Sequence, residues 1–258
     1  MSALPHRITQ STPNDGTILW LRFETEHRQN VMTLALIRDL REVIRGLETA
    51  PGKVRVMVLR GAPRVFCAGM HKGELSTLDA AGHRAVLVEE HDLWRAIENL
   101  PLVTIASLAG PVVGFGAHFA LCCDVRVAAE DVRIGLPEIR LAVAATAQRI
   151  ARFVGIGRAK EILLSGRLFP ADVALSWGLL TEVVQREHLE ERTRTTAEFY
   201  AGLSRSALAL AKASVENAFK WESSQHAREI DTVHGSIMAP DFREAMDAGE
   251  QRRPPKFA

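Results

Sequence analysis

The chain is 258 residues long, 47% hydrophobic and 24% charged, proportions that exclude disorder, collagen-like repeats and low-complexity architecture. Its 32 Lys and Arg residues nearly cancel its 31 Asp and Glu residues, so charge makes no case for a nucleic-acid partner or an anionic membrane surface. A chain of this length buries most of its apolar surface without disulfides or structural metal.

No internal repeat and no Pro/Gly/Ser linker divides the sequence. Strand-like runs at 17–23 and 53–60 bracket a stretch where Leu34, Ile37, Leu40, Val43, Ile44 and Leu47 recur at three- and four-residue steps, the period of an amphipathic helix. Thr33 is its expected N-cap and Pro51-Gly52 its end, giving a strand–helix–strand unit. A short strand into 66–68, a helix over 79–100 and a strand over 102–107 follow. Another helix opens near Gly116, with strands around 124–129 and 132–135. Beyond Ala144 helices dominate, at 145–153, 158–164, 171–177, 186–203, 205–219 and 222–250, the last broken at Ala239-Pro240. A helical tail of this size either covers the core or docks on a neighbouring subunit, and the ending RRPPKFA reads as a solvated extension.

Residues 101–123, 23 in all, carry no formal charge and exceed the roughly 20 residues that span a membrane. Pro111 with Gly110, Gly114, Gly116 and His118 interrupts them, and a buried strand, turn and helix start is the better account. Cys67, Cys122 and Cys123 show no CxxC spacing and are odd in number, which fits a reduced, cytoplasmic compartment. The opening MSALPHRITQ lacks an apolar signal-peptide core, so secretion is not expected. No His/Cys/Asp/Glu cluster has metal-ligand spacing.

Three segments set glycines beside apolar strands: Phe66-Cys67-Ala68-Gly69-Met70, the stretch from Ala109 to His118, and Ile134-Gly135-Leu136-Pro137-Glu138. Glycine lets backbone approach a ligand closely, so an N–H group from each of the first two segments would make an oxyanion hole. Gly116 onward also reads as a helix N-terminus, which favours a developing oxyanion. Glycine turns beside strands are more often only turns.

Together the segments resemble the crotonase (enoyl-CoA hydratase/isomerase) superfamily across nearly the whole chain. The family's early Asn turn corresponds to Arg28-Gln29-Asn30-Val31-Met32, its first oxyanion strand to 66–70, its glycine-rich loop and helix to 109–118, and its Pro-Glu pair to Pro137-Glu138. The stretch AKEILLSGRLFPADVALSWGLL at 159–180 is also close to the family pattern. The resemblance implies an α/β fold, a spiral of β-β-α units over residues 1–200 with a C-terminal helical trimerisation region over 201–258. The assembly it implies is a homotrimer or a dimer of trimers. It further implies an acyl-CoA substrate, with coenzyme A present as part of the thioester and no permanently bound cofactor.

Matched residue by residue, the amides of Met70 and Phe115 polarise the thioester carbonyl, and the Phe115 ring lies near it. Phe66 and Ala68 line the adenine side. Lys72 and Arg28 meet the CoA phosphates, or are solvated surface charges. Glu138 matches the glutamate that exchanges a proton with substrate carbon. The second glutamate of hydratases is replaced by His118, which is either an acid/base group of near-neutral pKa or a core histidine. Glu138 could otherwise be a helix-start carboxylate. The loop 139–149 lacks the family's Gly and Pro and is expected to be stiffer and more helical, with Thr146 where some relatives have a second catalytic aspartate. His91 falls where dehalogenase relatives carry a pocket histidine, although packing suits an apolar helix face. His234 either reaches the acyl site or is a solvated or interface residue. Arg38, Arg41 and Arg45 are interspersed with Asp39, Glu42 and Glu48, an ordinary charged face. The expected activity is double-bond chemistry through an enolate. The alternatives are a C–C bond hydrolase or decarboxylase using His118 and His91, or a catalytically silent acyl-CoA-binding homologue.

Overall fold

The computed structural model describes residues 4–13, 15–218 and 223–256. Strand β1 (His6–Ser11) pairs antiparallel with β2 (Ile18–Thr25). β1 has no counterpart among the expected strands, because HRITQS holds a single large apolar residue, Ile8. Helix α1 (Leu34–Thr49) starts where Thr33 Oγ1 accepts from the Leu36 amide at 3.2 Å. It ends before Pro51, which disfavours helical backbone in the residue ahead of it. β3 (Val56–Arg60) returns parallel to β2, completing the expected unit.

The short helix α2 (Lys72–Leu75) precedes α3 (Ala80–Glu98), which Asp79 caps through the Gly82 amide. Residues 101–123 fold as β4 (Val103–Leu108), β5 (Pro111–Val113) and α4 (Phe115–Leu121). Among the described residues no helix is long and apolar enough to cross a membrane. β6 (Val125–Ala129) and β7 (Arg133–Gly135) lead to a 3-10 turn at Glu138–Leu141. The helix expected from 145 begins only with α5 (Gln148–Ser165). Val143 and Ala142 amides close back on Glu138 and Ile139 carbonyls, and Ala142 turns left-handed at φ +57. The loop is therefore irregular rather than helical. α5 joins the two helices expected over 145–164, with a kink at Gly155 (φ +73) between them.

β8 (Phe169–Pro170), α6 (Ala171–Ser176), β9 (Glu182–Val184), α7 (Leu189–Ala201), α8 (Arg205–Ala218), α9 (Ser223–Ile237) and α10 (Pro240–Glu250) complete the chain. The break at Ala239-Pro240 falls where expected, while Phe219 and Glu222 lie outside the described residues. The expected solvated extension is tied down through Arg253 and the Lys256 amide, both bonded to Glu244.

The strands form a six-stranded sheet, β1-β2-β3-β4-β6-β9, and a three-stranded sheet, β5-β7-β8. β4 joins the large sheet and β5 the small one, then β6 the large and β7 the small, so the chain winds as a spiral. Apart from β1, every strand of the large sheet is parallel to its neighbours, and such sheets are buried on both faces. Leu19, Leu21, Met57 and Leu59 pack with α1 into the main core, while Ile18, Trp20, Val56 and Val58 pack with Leu189 and Ala197 of α7. Side chains alternate between faces along a strand.

Candidate active site

The site forms where residues 66–70 run beside 109–115. The Phe66 amide donates to the Ala109 carbonyl at 2.7 Å, Cys67 to Pro111 at 3.2 Å, and Val113 to Cys67 at 2.9 Å. On its other edge the first segment is clipped to Met32, whose amide donates to the Gly69 carbonyl and whose carbonyl accepts from His71, both at 2.8 Å. Backbone groups alternate in direction along extended chain, so the Met70 amide between those bonds turns away from Met32. No acceptor for it exists among the described residues, nor for the Phe115 amide at the first position of α4, where helices leave donors unsatisfied. Asn30 anchors the arrangement in a left-handed conformation (φ +48). Its side chain donates to the Phe66 carbonyl (2.7 Å) and the Phe23 carbonyl (3.2 Å) and accepts from the Thr25 amide (2.9 Å).

Two glycines permit the approach. A Cβ on Gly116 would run into the Cys67 carbonyl oxygen, so only glycine lets α4 lie this close to the 66–70 segment. Gly114 has φ +57 and ψ −120. A Cβ there would stand 2.8 Å from Glu138 Oε1 and 3.9 Å from the Gly69 Cα. The Glu138 carboxylate, the Gly69–Met70 turn and the Gly114–Phe115 turn therefore meet at one point. Glu138 Oε2 is buried without a hydrogen-bond partner, and burial pushes its pKa up to about 7.

A second carboxyl that sequence reasoning missed lies near enough for the Glu138 charge to act on it. Glu90 of α3 is 7% exposed, and burial, then the Glu138 charge, push its pKa up to about 8. The signal lay in the helical pattern. Glu90 sits inside the apolar stripe of Val86, Leu87, Leu93, Trp94 and Ile97, where an unpaired carboxylate is costly.

His118, one turn into α4, belongs to a neighbouring layer. Its Nε2 lies 3.0 Å from Thr146 Oγ1, and its ring packs 5.0 Å from Trp94. Burial, then the Arg149 and His91 charges, hold its pKa well below the ordinary histidine value, so it is neutral near pH 7. Arg149 pairs with Glu98 at 2.7 Å and lies over the Trp94 ring. Thr146 thus serves as partner to the histidine. His91 Nδ1 donates to the Leu87 carbonyl (2.8 Å), and its Nε2 lies 3.6 Å from Glu229. His234 reaches the Ala80 carbonyl at 2.9 Å, at the start of α3.

The expectation for Phe66 is corrected, and the Phe115 ring is placed in the core. The Phe66 ring is fully buried, edge-on to Phe23 at 5.3 Å, and does not line a ligand surface. The Phe115 ring lies in the core against Trp94 (5.5 Å) and Phe119 (5.4 Å). Both rings fill the space between strands and α4, and only their backbone reaches the site. Ala68 is half-buried, and its amide donates to Gln29 at 3.2 Å, joining the turn that bears Arg28 to the one that bears Lys72. His27 and His71 in these turns lie 6.4 Å apart, and both Arg28 and Lys72 are exposed. The Arg38, Arg41 and Arg45 face is ion-paired with Glu89, Asp92 and Glu42.

Residues 14–258 match the family model for enoyl-CoA hydratase/isomerase. The chain is 31% identical to a probable enoyl-CoA hydratase, echA6, of Mycobacterium leprae (strain TN), over 93% of this chain and 95% of that relative. It is 29% identical to the enoyl-CoA isomerase/hydratase fer4 of Mycosarcoma maydis, over 99% and 98% of the two chains. Among solved structures, an enoyl-CoA hydratase from Mycobacterium avium subsp. paratuberculosis K-10 matches with a TM-score of 0.86 at 27% identity, over 98% of each chain.

Proposed function

Because the chain belongs to the enoyl-CoA hydratase/isomerase family of the crotonase superfamily, we propose that it transforms an acyl-CoA thioester through an enolate held by the Met70 and Phe115 amides, with Glu138 as the proton-transfer group. One observation carries this reading: a buried carboxylate oxygen without a partner stands beside two backbone donors without acceptors. A thioester carbonyl oxygen satisfies both donors, and they bind it more tightly as negative charge develops there. A carboxyl held near neutrality both takes and returns a proton. Arg28 and Lys72, brought to adjoining turns, meet the phosphates of coenzyme A, and the Ala68 backbone flanks the adenine side.

His118 shapes the wall of the site through Thr146. Its engagement there, and that of His91 with Leu87 and Glu229, weigh against histidine-based C–C cleavage. The core over residues 1–200 carries the chemistry, and residues 201–258 assemble copies of the chain as a homotrimer or a dimer of trimers.

The test is deuterium uptake at C2 from heavy water, followed by mass spectrometry on saturated, 2-enoyl and 3-enoyl CoA thioesters. Wild type is expected to exchange, and Glu138→Gln to do so about 10²–10⁴-fold more slowly. Equal exchange by the variant removes Glu138 from the mechanism. Binding without any exchange makes the chain a silent acyl-CoA binder.

A further inference from the structure

Glu90 occupies a costly position. It lies one turn before Trp94 in the apolar stripe of α3, and no hydrogen bond or ion pair among the described residues reaches its carboxyl. A leucine there would serve the packing better. The carboxyl lies in the neighbourhood of the reaction centre, one turn before the Trp94 ring that packs on both Phe115 and His118 of α4. Glu138 is near enough for its charge to act on Glu90, Glu90 acts in turn on Cys67 in the first oxyanion segment, and Trp94 packs on Phe115 in the second.

We propose that Glu90 is a second acid/base group of this site, the carboxylic acid that delivers a proton while the Glu138 carboxylate takes one. The proposal rests on the enolate reading above. With a 3-enoyl thioester, Glu138 breaks the C2–H bond and the electron pair enters a dienolate held by the two amides. C4 takes the Glu90 proton, and the double bond moves from C3–C4 to C2–C3. Glu138, now the acid, returns its proton to the Glu90 carboxylate. The pair begins and ends with one proton, and substrate and product are isomers.

Two buried carboxyls near enough for the charge of one to act on the other do not both ionise readily. Burial raises Glu138 to about 7 and Glu90 to about 8, so between those values Glu138 is the carboxylate and Glu90 the acid. Neighbouring groups do not compete for the Glu90 proton. Burial pushes the Cys67 thiol up to about 12, and His118 of α4 is held neutral. From α1, Arg38 and Arg41 pair with Glu89 and Asp92 on the outer side of α3. From α9, Glu229 holds the amides of Ala147 and Gln148 beside His91, and Asp231 holds Arg84.

Steady-state kinetics of the full chain on trans-3-hexenoyl-CoA, across a pH range spanning both values, test this with Glu90→Gln, Glu90→Leu and Glu138→Gln, beside thermal unfolding. Wild-type activity is expected to rise through about 7 and fall above about 8. Both Glu90 variants should lose roughly 10²–10³-fold in kcat with KM nearly unchanged. They should also lose the alkaline limb and melt no lower than wild type. If Glu138→Gln is inactive while Glu90→Gln keeps the wild-type kcat and alkaline limb, Glu90 is removed and the enolate reading stands. Full turnover by Glu138→Gln overturns the enolate reading itself, and no turnover of this thioester by wild type overturns the double-bond shift assigned to Glu90. A fall in melting temperature with a raised KM in both Glu90 variants makes the residue structural and overturns the proposal.

Discussion

Glu138 ionises near pH 4.5 without its folded surroundings and near 7 within them, because burial disfavours the charged form. Between those values the native state binds more protons than the unfolded chain. The contribution of this group to stability is therefore fully present below about 4.5 and is lost as pH rises through about 7. Each pH unit across that window costs about 1.4 kcal/mol, so the loss is on the order of 3 kcal/mol. Glu90 acts in the same direction, with a window reaching about 8. Urea denaturation at pH 5 and pH 8 checks this. Glu138→Gln should match wild type within about 1 kcal/mol at the lower pH and exceed it by about 2–3 kcal/mol at the higher. A difference that does not change with pH would mean that solvent reaches the carboxyl. A fold that keeps two such groups where apolar side chains would stabilise it is serving chemistry at that point.

The loop between Glu138 and α5 is held from outside. Glu229 of α9 accepts from the Ala147 amide (2.6 Å) and the Gln148 amide (2.8 Å), while Ser236 Oγ accepts from the Ala144 amide (2.9 Å). These donors begin α5 and have no acceptor within it, so Glu229 is an N-cap supplied by another helix. Burial raises its pKa, but the His91 ring 3.6 Å away and the hydrogen bonds from the two amides outweigh that and hold it below the usual carboxylate range. Glu229→Ala should cost about 1–3 kcal/mol, and hydrogen exchange should quicken first at 142–148. Unchanged protection there would show that the loop holds its shape unaided. This clamp was invisible in the sequence, since its partners stand some eighty residues apart. α1 and α3 were legible because their apolar periods are local. The glycine segments and Glu138 were legible because close backbone approach restricts residue choice at the spot where it occurs. The irregular loop was misread because the absence of Gly and Pro sets a propensity only, and tertiary hydrogen bonds overrode it. Glu90 fell between these cases: its violation of the stripe was local, but its meaning depended on where Glu138 lies.

Across the whole molecule, the second half presents apolar side chains to solvent. Ile156 and Leu164 of α5 are 73% and 71% exposed, and Leu210 and Val215 of α8 are 72% and 61% exposed. No residue of α8 is buried. It is tied to the body by Lys212, which donates to the Leu102 carbonyl at 3.1 Å and pairs with Asp124 at 2.9 Å, by Arg205 to the Gly52 carbonyl and by Glu216 to Arg152. A helix of this length is marginal in water without packing, and exposed apolar surface concentrated on particular elements marks an interaction face. Further copies of the chain are the occupants that fit, because the tail 201–258 is the region proposed to join subunits. Light scattering after gel filtration is expected to give wild type a mass of three or six chains. Leu210→Glu with Val215→Glu places two charges where neighbouring subunits would desolvate them, at a cost no surface ion pair offsets, and should shift the mass toward one chain. Wild type running as a monomer would sever the tail from assembly. α8 would then owe its order to its ties to the body and its half-buried side, and Lys212→Ala should quicken hydrogen exchange along it.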